Sequence, residues 1–137
     1  MRSAAQGMRS LGPTFDLVLS SPLVRCKQTA SIVAARFRPR LKLRYLSSLA
    51  PGSPLPELIR QLSQLPPSST VLLVGHEPGL SSLASLLVAG PGTEPSFVFK
   101  KGGLCRIDFP GTPQPGTGRL IYLLTPRILR RLGARAS

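Results

Sequence analysis

The sequence predicts a layered α/β domain, a largely parallel sheet with helices on its faces. Three observations predict it. Strand-like and helix-like segments alternate through the first two-thirds of the chain. Two strand-like runs, residues 15–21 and 69–76, are short and almost wholly apolar, as parallel strands covered on both faces are. The chain has 137 residues of which 42% are hydrophobic, enough for one core. No internal repeat and no linker divides it, so residues 1–137 are read as a single domain.

The elements follow in order. Residues 1–12 are polar and punctuated by glycine, and read as the tail of a helix. FDLVLSS (15–21) is a buried strand. Pro22 follows at once, which makes Ser21 the expected N-cap and Pro22 the first helical position. The helix over 22–37 carries Leu23, Cys26, Ala30, Val33 and Phe37 on one stripe, and Pro39 ends it. Residues 41–49 alternate as a weaker strand. Residues 54–65 form a short helix with Leu58, Leu62 and Leu65 on its apolar side. STVLLVGH (69–76) is the clearest strand and is expected at the centre of the sheet. A helix covers 81–89. SFVF (96–99) and LCRIDF (104–109) read as two strands joined by KKGG, RLIYLL (119–124) as the last strand, and 125–132 as a terminal helix.

Composition narrows the function classes. Eighteen Lys and Arg against five Asp and Glu give a net charge of +13, which attracts anions. The terminal cluster RILRRLGAR reads first as a solvated helix face, and is also consistent with a phosphate-binding protein. No zinc motif and no RNA-recognition aromatic motif supports a nucleic-acid binder. No apolar run is long enough for a membrane span, and residues 1–12 have no secretory h-region. Cys26 and Cys105 show no metal spacing, so both are expected as reduced thiols in a cytoplasmic protein with no metal and no cofactor.

Ligands of open α/β sheets bind beyond the carboxyl ends of the strands. Two such ends carry chemistry here. In Ser20-Ser21-Pro22-x-x-Arg25-x-x-Gln28-Thr29 a strand gives way to a helix with an arginine in its first turn. Free backbone N–H groups and a guanidinium fork suit a phosphate there; an ordinary capped helix with a solvent-facing arginine fits the same spacing. In Val74-Gly75-His76-Glu77-Pro78-Gly79 the sole histidine follows a strand. It is placed to hydrogen-bond a phosphoryl group or move a proton, or merely to satisfy a loop carbonyl.

Together these motifs resemble the histidine phosphatase superfamily, which is phosphoglycerate-mutase-like in fold. The later segments Phe99-Lys100-Lys101-Gly102-Gly103-Leu104-Cys105-Arg106-Ile107 and Leu123-Leu124-Thr125-Pro126-Arg127-Ile128-Leu129 are similar to its small phosphohistidine phosphatases, the SixA-like branch. Gly7 resembles the glycine of a helix start in that branch. The likeness runs from about Gly7 to about Leu132.

The resemblance implies a three-layer domain with helices on both faces of the sheet. It implies a pocket of two histidines and two arginines, and hydrolysis through a phosphohistidine intermediate. Carried over residue by residue, Arg25 is a phosphate clamp, His76 the second, non-nucleophilic histidine, and Ser21 a helper through its hydroxyl. The Arg-His-Gly motif that supplies the nucleophile on the first central strand has no counterpart here. The domain is therefore expected to be N-terminally incomplete and inactive as given. The edges of its two neighbours, carrying Leu17, Leu19, Leu72 and Val74, are expected to face each other unpaired. The expected partner is a phosphorylated substrate such as a phosphohistidine protein, with no specific nucleic acid and no membrane. A non-catalytic phosphate- or phosphoprotein-binding pseudoenzyme is the alternative, and a basic nucleic-acid binder a more distant one. Glu77 is the nearest carboxyl to serve as an acid, or else a loop residue facing water.

Overall fold

The computed structural model describes residues 2–12, 14–92, 97 and 99–136. The elements run α1 (Arg2–Ser10), β1 (Leu17–Ser20), α2 (Val24–Ala35), β2 (Leu43–Tyr45), a 3₁₀ turn (Ser47–Leu49), α3 (Leu55–Ser63), β3 (Val71–Val74), α4 (Gly79–Ala89), β4 (Leu104–Asp108), β5 (Arg119–Leu124) and α5 (Pro126–Ala136). This is the α/β architecture the alternation predicts.

The sheet comes in two pieces. A parallel sheet has the order β2-β1-β3, and β4 and β5 form an antiparallel ribbon. Both helical layers follow from the strand pleat. Val18 and Leu72 face Ala4, Ala5, Met8, Ala30, Val33, Phe37 and Leu129 from α1, α2 and α5 and the end of α2. Leu17 and Leu19 face Leu58, Ile59, Leu62, Leu83 and Leu87 from α3 and α4. The ribbon belongs to the same layer, because Leu104 and Leu124 pack on the first of these clusters and Phe109 on the second.

Helices α1 and α5 lie backbone to backbone. A Cβ on Gly7 would fall 2.0 Å from the Leu129 carbonyl oxygen, and one on Gly133 would fall 2.0 Å from that of Ser3. The chain enters α5 through Thr125, whose Oγ1 accepts the Ile128 N–H at 3.2 Å, with Pro126 as the first helical residue.

Four local expectations need correction. Helix α2 starts at Val24, with Leu23 and not Ser21 at the N-cap. Ser21 is still extended and donates its N–H to the Val74 carbonyl at 2.9 Å, so the strand pairing outlasts the expected cap. Leu23 consequently leaves the apolar stripe and is 45% exposed. Only Leu43–Tyr45 of the 41–49 run pairs with β1, and its last residues turn into the 3₁₀ segment. Of SFVF, Ser96 and Val98 lie outside the described residues, and Phe97 and Phe99 are not in a strand.

The centre of the parallel sheet is β1, not the more apolar β3. β1 and β3 pair directly, Leu17 opposite Val71 through Ser20 opposite Val74. The facing edges expected to be empty are therefore hydrogen-bonded to each other. The open edge of β3 is its other one.

Candidate functional site

The register that matches Ser20 to Val74 brings the ends of β1 and β3 out of the sheet side by side. Ser21 follows one strand and Gly75-His76 the other. Ser21 is fully buried, and its Oγ lies 2.8 Å from His76 Nε2. The same Oγ accepts the Leu23 N–H at 3.2 Å. One hydroxyl thus ties the entrance of α2 to the imidazole. Cys26, one turn into α2, is also buried; its thiol donates to the Gly75 carbonyl at 3.4 Å and lies 3.4 Å from His76 Nε2. Burial pushes the Cys26 thiol above its ordinary range, offset in part by a hydrogen bond with Ser21. A neutral thiol beside the ring is a packing and positioning neighbour, not a ready nucleophile.

Arg25 stands on the outer side of the same turn. Its side chain is exposed and makes no ion pair among the described residues. Arg25, Cys26 and His76 line one cavity of about 1290 Å³ that begins at the carboxyl ends of the strands. The α2 N-terminus adds the first-turn N–H groups and the positive end of the helix dipole. An arginine fork, an imidazole and a helix N-terminus around one cavity are an arrangement for holding a tetrahedral oxyanion.

Glu77 lines the same cavity, but its carboxylate is engaged at the start of α4. Its carboxylate accepts the Ser81 backbone N–H at 3.0 Å and the Ser81 hydroxyl, which closes the first turn of α4. Among the described residues no three His, Cys, Asp or Glu side chains gather as metal ligands. Among the described residues no helix is long and apolar enough to cross a membrane.

The contact the sequence reading missed is Cys26 against His76. It spans fifty positions, and Cys26 reads in sequence as one more residue of a core stripe. No local signal announces it; only knowledge that β1 pairs with β3 would.

With this geometry the fold can be compared with known proteins. No family model matches the chain. An uncharacterized protein of Picosynechococcus sp. is 34% identical over 103 residues, 73% of this chain and 61% of that protein. The chain thus spans less than two-thirds of that relative's length. The uncharacterized protein Rv1276c of Mycobacterium tuberculosis is 30% identical over 133 residues, 88% of this chain and 79% of the relative. The chain belongs to the family of this mycobacterial protein. Among solved structures, the protein histidine phosphatase SixA complexed with tungstate matches with a TM-score of 0.79 and 22% identity, over 93% of this chain and 80% of SixA. A structure assigned as SixA from Nakamurella multipartitia matches with a TM-score of 0.73 and 23% identity, over 91% of this chain and 78% of its own. The fold of this family member is the SixA fold.

Proposed function

We propose that this chain is a phosphohistidine-phosphatase-like domain whose surviving pocket residues bind a phosphoryl group. Arg25 clamps two oxygens through its fork, His76 hydrogen-bonds a third, and Ser21 and Cys26 fix the imidazole. The observation that carries this reading is the 2.8 Å bond from His76 Nε2 to the buried Ser21, in a cavity that Arg25 also lines. The SixA fold and the binding of tungstate by SixA, a phosphate-like oxyanion, support it.

The proposed family chemistry is two in-line displacements through an enzyme phosphohistidine. Fixed positive charge does most of the stabilisation. A histidine nucleophile and a second, charge-stabilising histidine are both required, and this sequence has one histidine. Loss of a nucleophile elsewhere costs on the order of 10⁶ in rate. The chain as given should therefore bind and not turn over. A phosphohistidine protein is the proposed substrate class: protonated imidazole leaves without a strong general acid, and Glu77 is engaged at Ser81. The single histidine also favours a second reading, a phosphoprotein-binding pseudoenzyme with the same pocket.

The test is turnover of an aryl phosphate and of a phosphohistidine peptide by the purified chain. No hydrolysis above background is expected. Robust turnover abolished by His76→Ala would make His76 the nucleophile and overturn the role assigned to it.

A further inference from the structure

Three large hydrophobic side chains stand exposed at one place beside the pocket: Leu23 is 45% exposed, Val24 68% and Tyr45 46%. The register explains why they meet. Tyr45 lies opposite Ser20 of β1, and Leu23 and Val24 follow Ser20 at the entrance of α2. Tyr45 shares the strand face of Leu43, which packs on the cluster built by α1, α2 and α5, so its ring is turned toward α2. Lys27, one helical turn beyond Leu23 and Val24, closes the contact, with its Nζ 4.8 Å from the centre of the Tyr45 ring. Helical spacing then places Val24 between Arg25 and Lys27 on the first turn of α2.

Arg25 lines the cavity, whereas Leu23, Val24, Lys27 and Tyr45 do not, so these four form a rim outside it. Single exposed hydrophobic residues are ordinary on a protein surface. A contiguous group of them, edged by polar side chains and adjoining a pocket, marks a contact surface. The charge beside the group has one sign. Arg25 and Lys27 make no ion pair among the described residues, and the sequence has no Asp or Glu between residues 17 and 56.

We infer that this rim docks the polypeptide that carries the phosphoryl group, a segment with apolar residues next to its phosphorylated side chain and acidic residues beyond them. This role rests on the phosphoryl-binding reading of the pocket and adds what selects the occupant. Arg25 borders pocket and rim alike, so a segment held at Arg25 and His76 lays its neighbouring residues on Val24 and Leu23. Extended residues span roughly 3.3 Å each, and two or three of them carry the chain from the pocket onto the rim. Leu23, Val24 and the Tyr45 ring offer apolar area to such residues, and Lys27 and Arg25 attract carboxylates beside them. Free phosphate has nothing with which to cover the three apolar side chains. A second copy is a poor occupant, because two chains of charge +13 repel.

The experiment titrates the full chain with two fluorescent peptides, each with a non-hydrolysable phosphonate analogue of phosphohistidine at its centre. One carries Leu and Val beside the analogue and Asp and Glu beyond them; the other carries Gly and Ser throughout. The first should bind about tenfold or more tighter. The double variant Leu23→Ser, Val24→Ser should erase that difference and leave tungstate affinity and circular dichroism unchanged. Leu23 serves the pocket through its backbone N–H alone, which serine keeps. Lys27→Glu should weaken the first peptide about threefold or more at low salt, and less at high salt. Equal affinity of the two peptides for the parent would overturn the proposal. So would a double variant that loses tungstate as much as peptide, since the two side chains would then support the pocket and not a partner. A dimer by sedimentation that the double variant dissociates would overturn it too, by naming a second copy as the occupant. A parent that binds no tungstate removes the phosphoryl pocket and this surface together, whereas tungstate binding with indifference to the peptide flanks removes this surface alone.

Discussion

Ser21→Ala removes the hydroxyl that holds the imidazole, and its cost can be worked from the contacts. The side chain is fully buried, and its Oγ bonds His76 Nε2 at 2.8 Å and accepts the Leu23 N–H at 3.2 Å, the two contacts weighed here. Each net bond is worth roughly 0.5–1.5 kcal/mol, so the variant should lose about 1–3 kcal/mol of a total near 5–15 kcal/mol. For a domain of this size that is a fall of roughly 4–12 °C in Tm. Freeing the ring should also weaken tungstate binding by about tenfold, the equivalent of one positioning bond. Thermal melting by circular dichroism reads the first effect and calorimetric titration the second. Ser21→Thr keeps the hydroxyl and should recover most of the affinity. A Ser21→Ala protein that melts within about 1 °C of the parent and binds tungstate equally would refute the reasoning.

The α1–α5 contact gives a second prediction. Gly133→Ala places a methyl 2.0 Å from the Ser3 carbonyl, a backbone atom that no rotamer change can move. The overpacking, about 1–3 kcal/mol, should outweigh the roughly 1 kcal/mol helix propensity gained. A lower urea midpoint is expected, whereas Gly79→Ala, with nothing within 4 Å, should leave it unchanged or raised. A stabilised Gly133→Ala would contradict the packing described. Cys105 gives a third. Burial pushes its thiol from 9.0 up to about 11, so the unfolded chain loses this proton first as pH rises. Its contribution to stability is whole below about pH 9 and is lost on the way through about pH 11. Urea midpoints at about pH 8 and about pH 11 should fall more in the parent than in Cys105→Ala, and equal falls would refute the assignment.

How much of this was legible in the sequence varied with the range of the interactions. β5 matches its apolar run residue for residue, because turn-rich chain bounds it and a local pattern suffices. β1 and β3 were legible from composition alone, since both are covered by helices. The order of the sheet was not. Choosing β1 over β3 for the centre depends on crossovers of some fifty residues, and apolarity does not rank two strands that are both buried. The Ser21 cap was misjudged for a related reason. Local spacing favours a cap, but a long-range pairing with Val74 keeps Ser21 extended and gives its hydroxyl to both His76 and Leu23. Strand 41–49 shrank because Arg44 and Tyr45, on opposite faces of this edge strand, are both exposed, which leaves little apolar area to extend the pairing. Arg25 and His76 were singled out as strand-end residues, and the register explains why they share a cavity; their roles rest on the binding experiments.

The most direct test of the central claim is tungstate binding, followed by calorimetry with inorganic phosphate as competitor. The account predicts a single saturable site that phosphate displaces. Affinity should fall by about tenfold or more in Arg25→Ala and in His76→Ala, since each removes a charged or strong donor to the oxyanion. Absence of binding, or binding that neither substitution weakens, would contradict the assignment of Arg25 and His76 to one phosphoryl pocket.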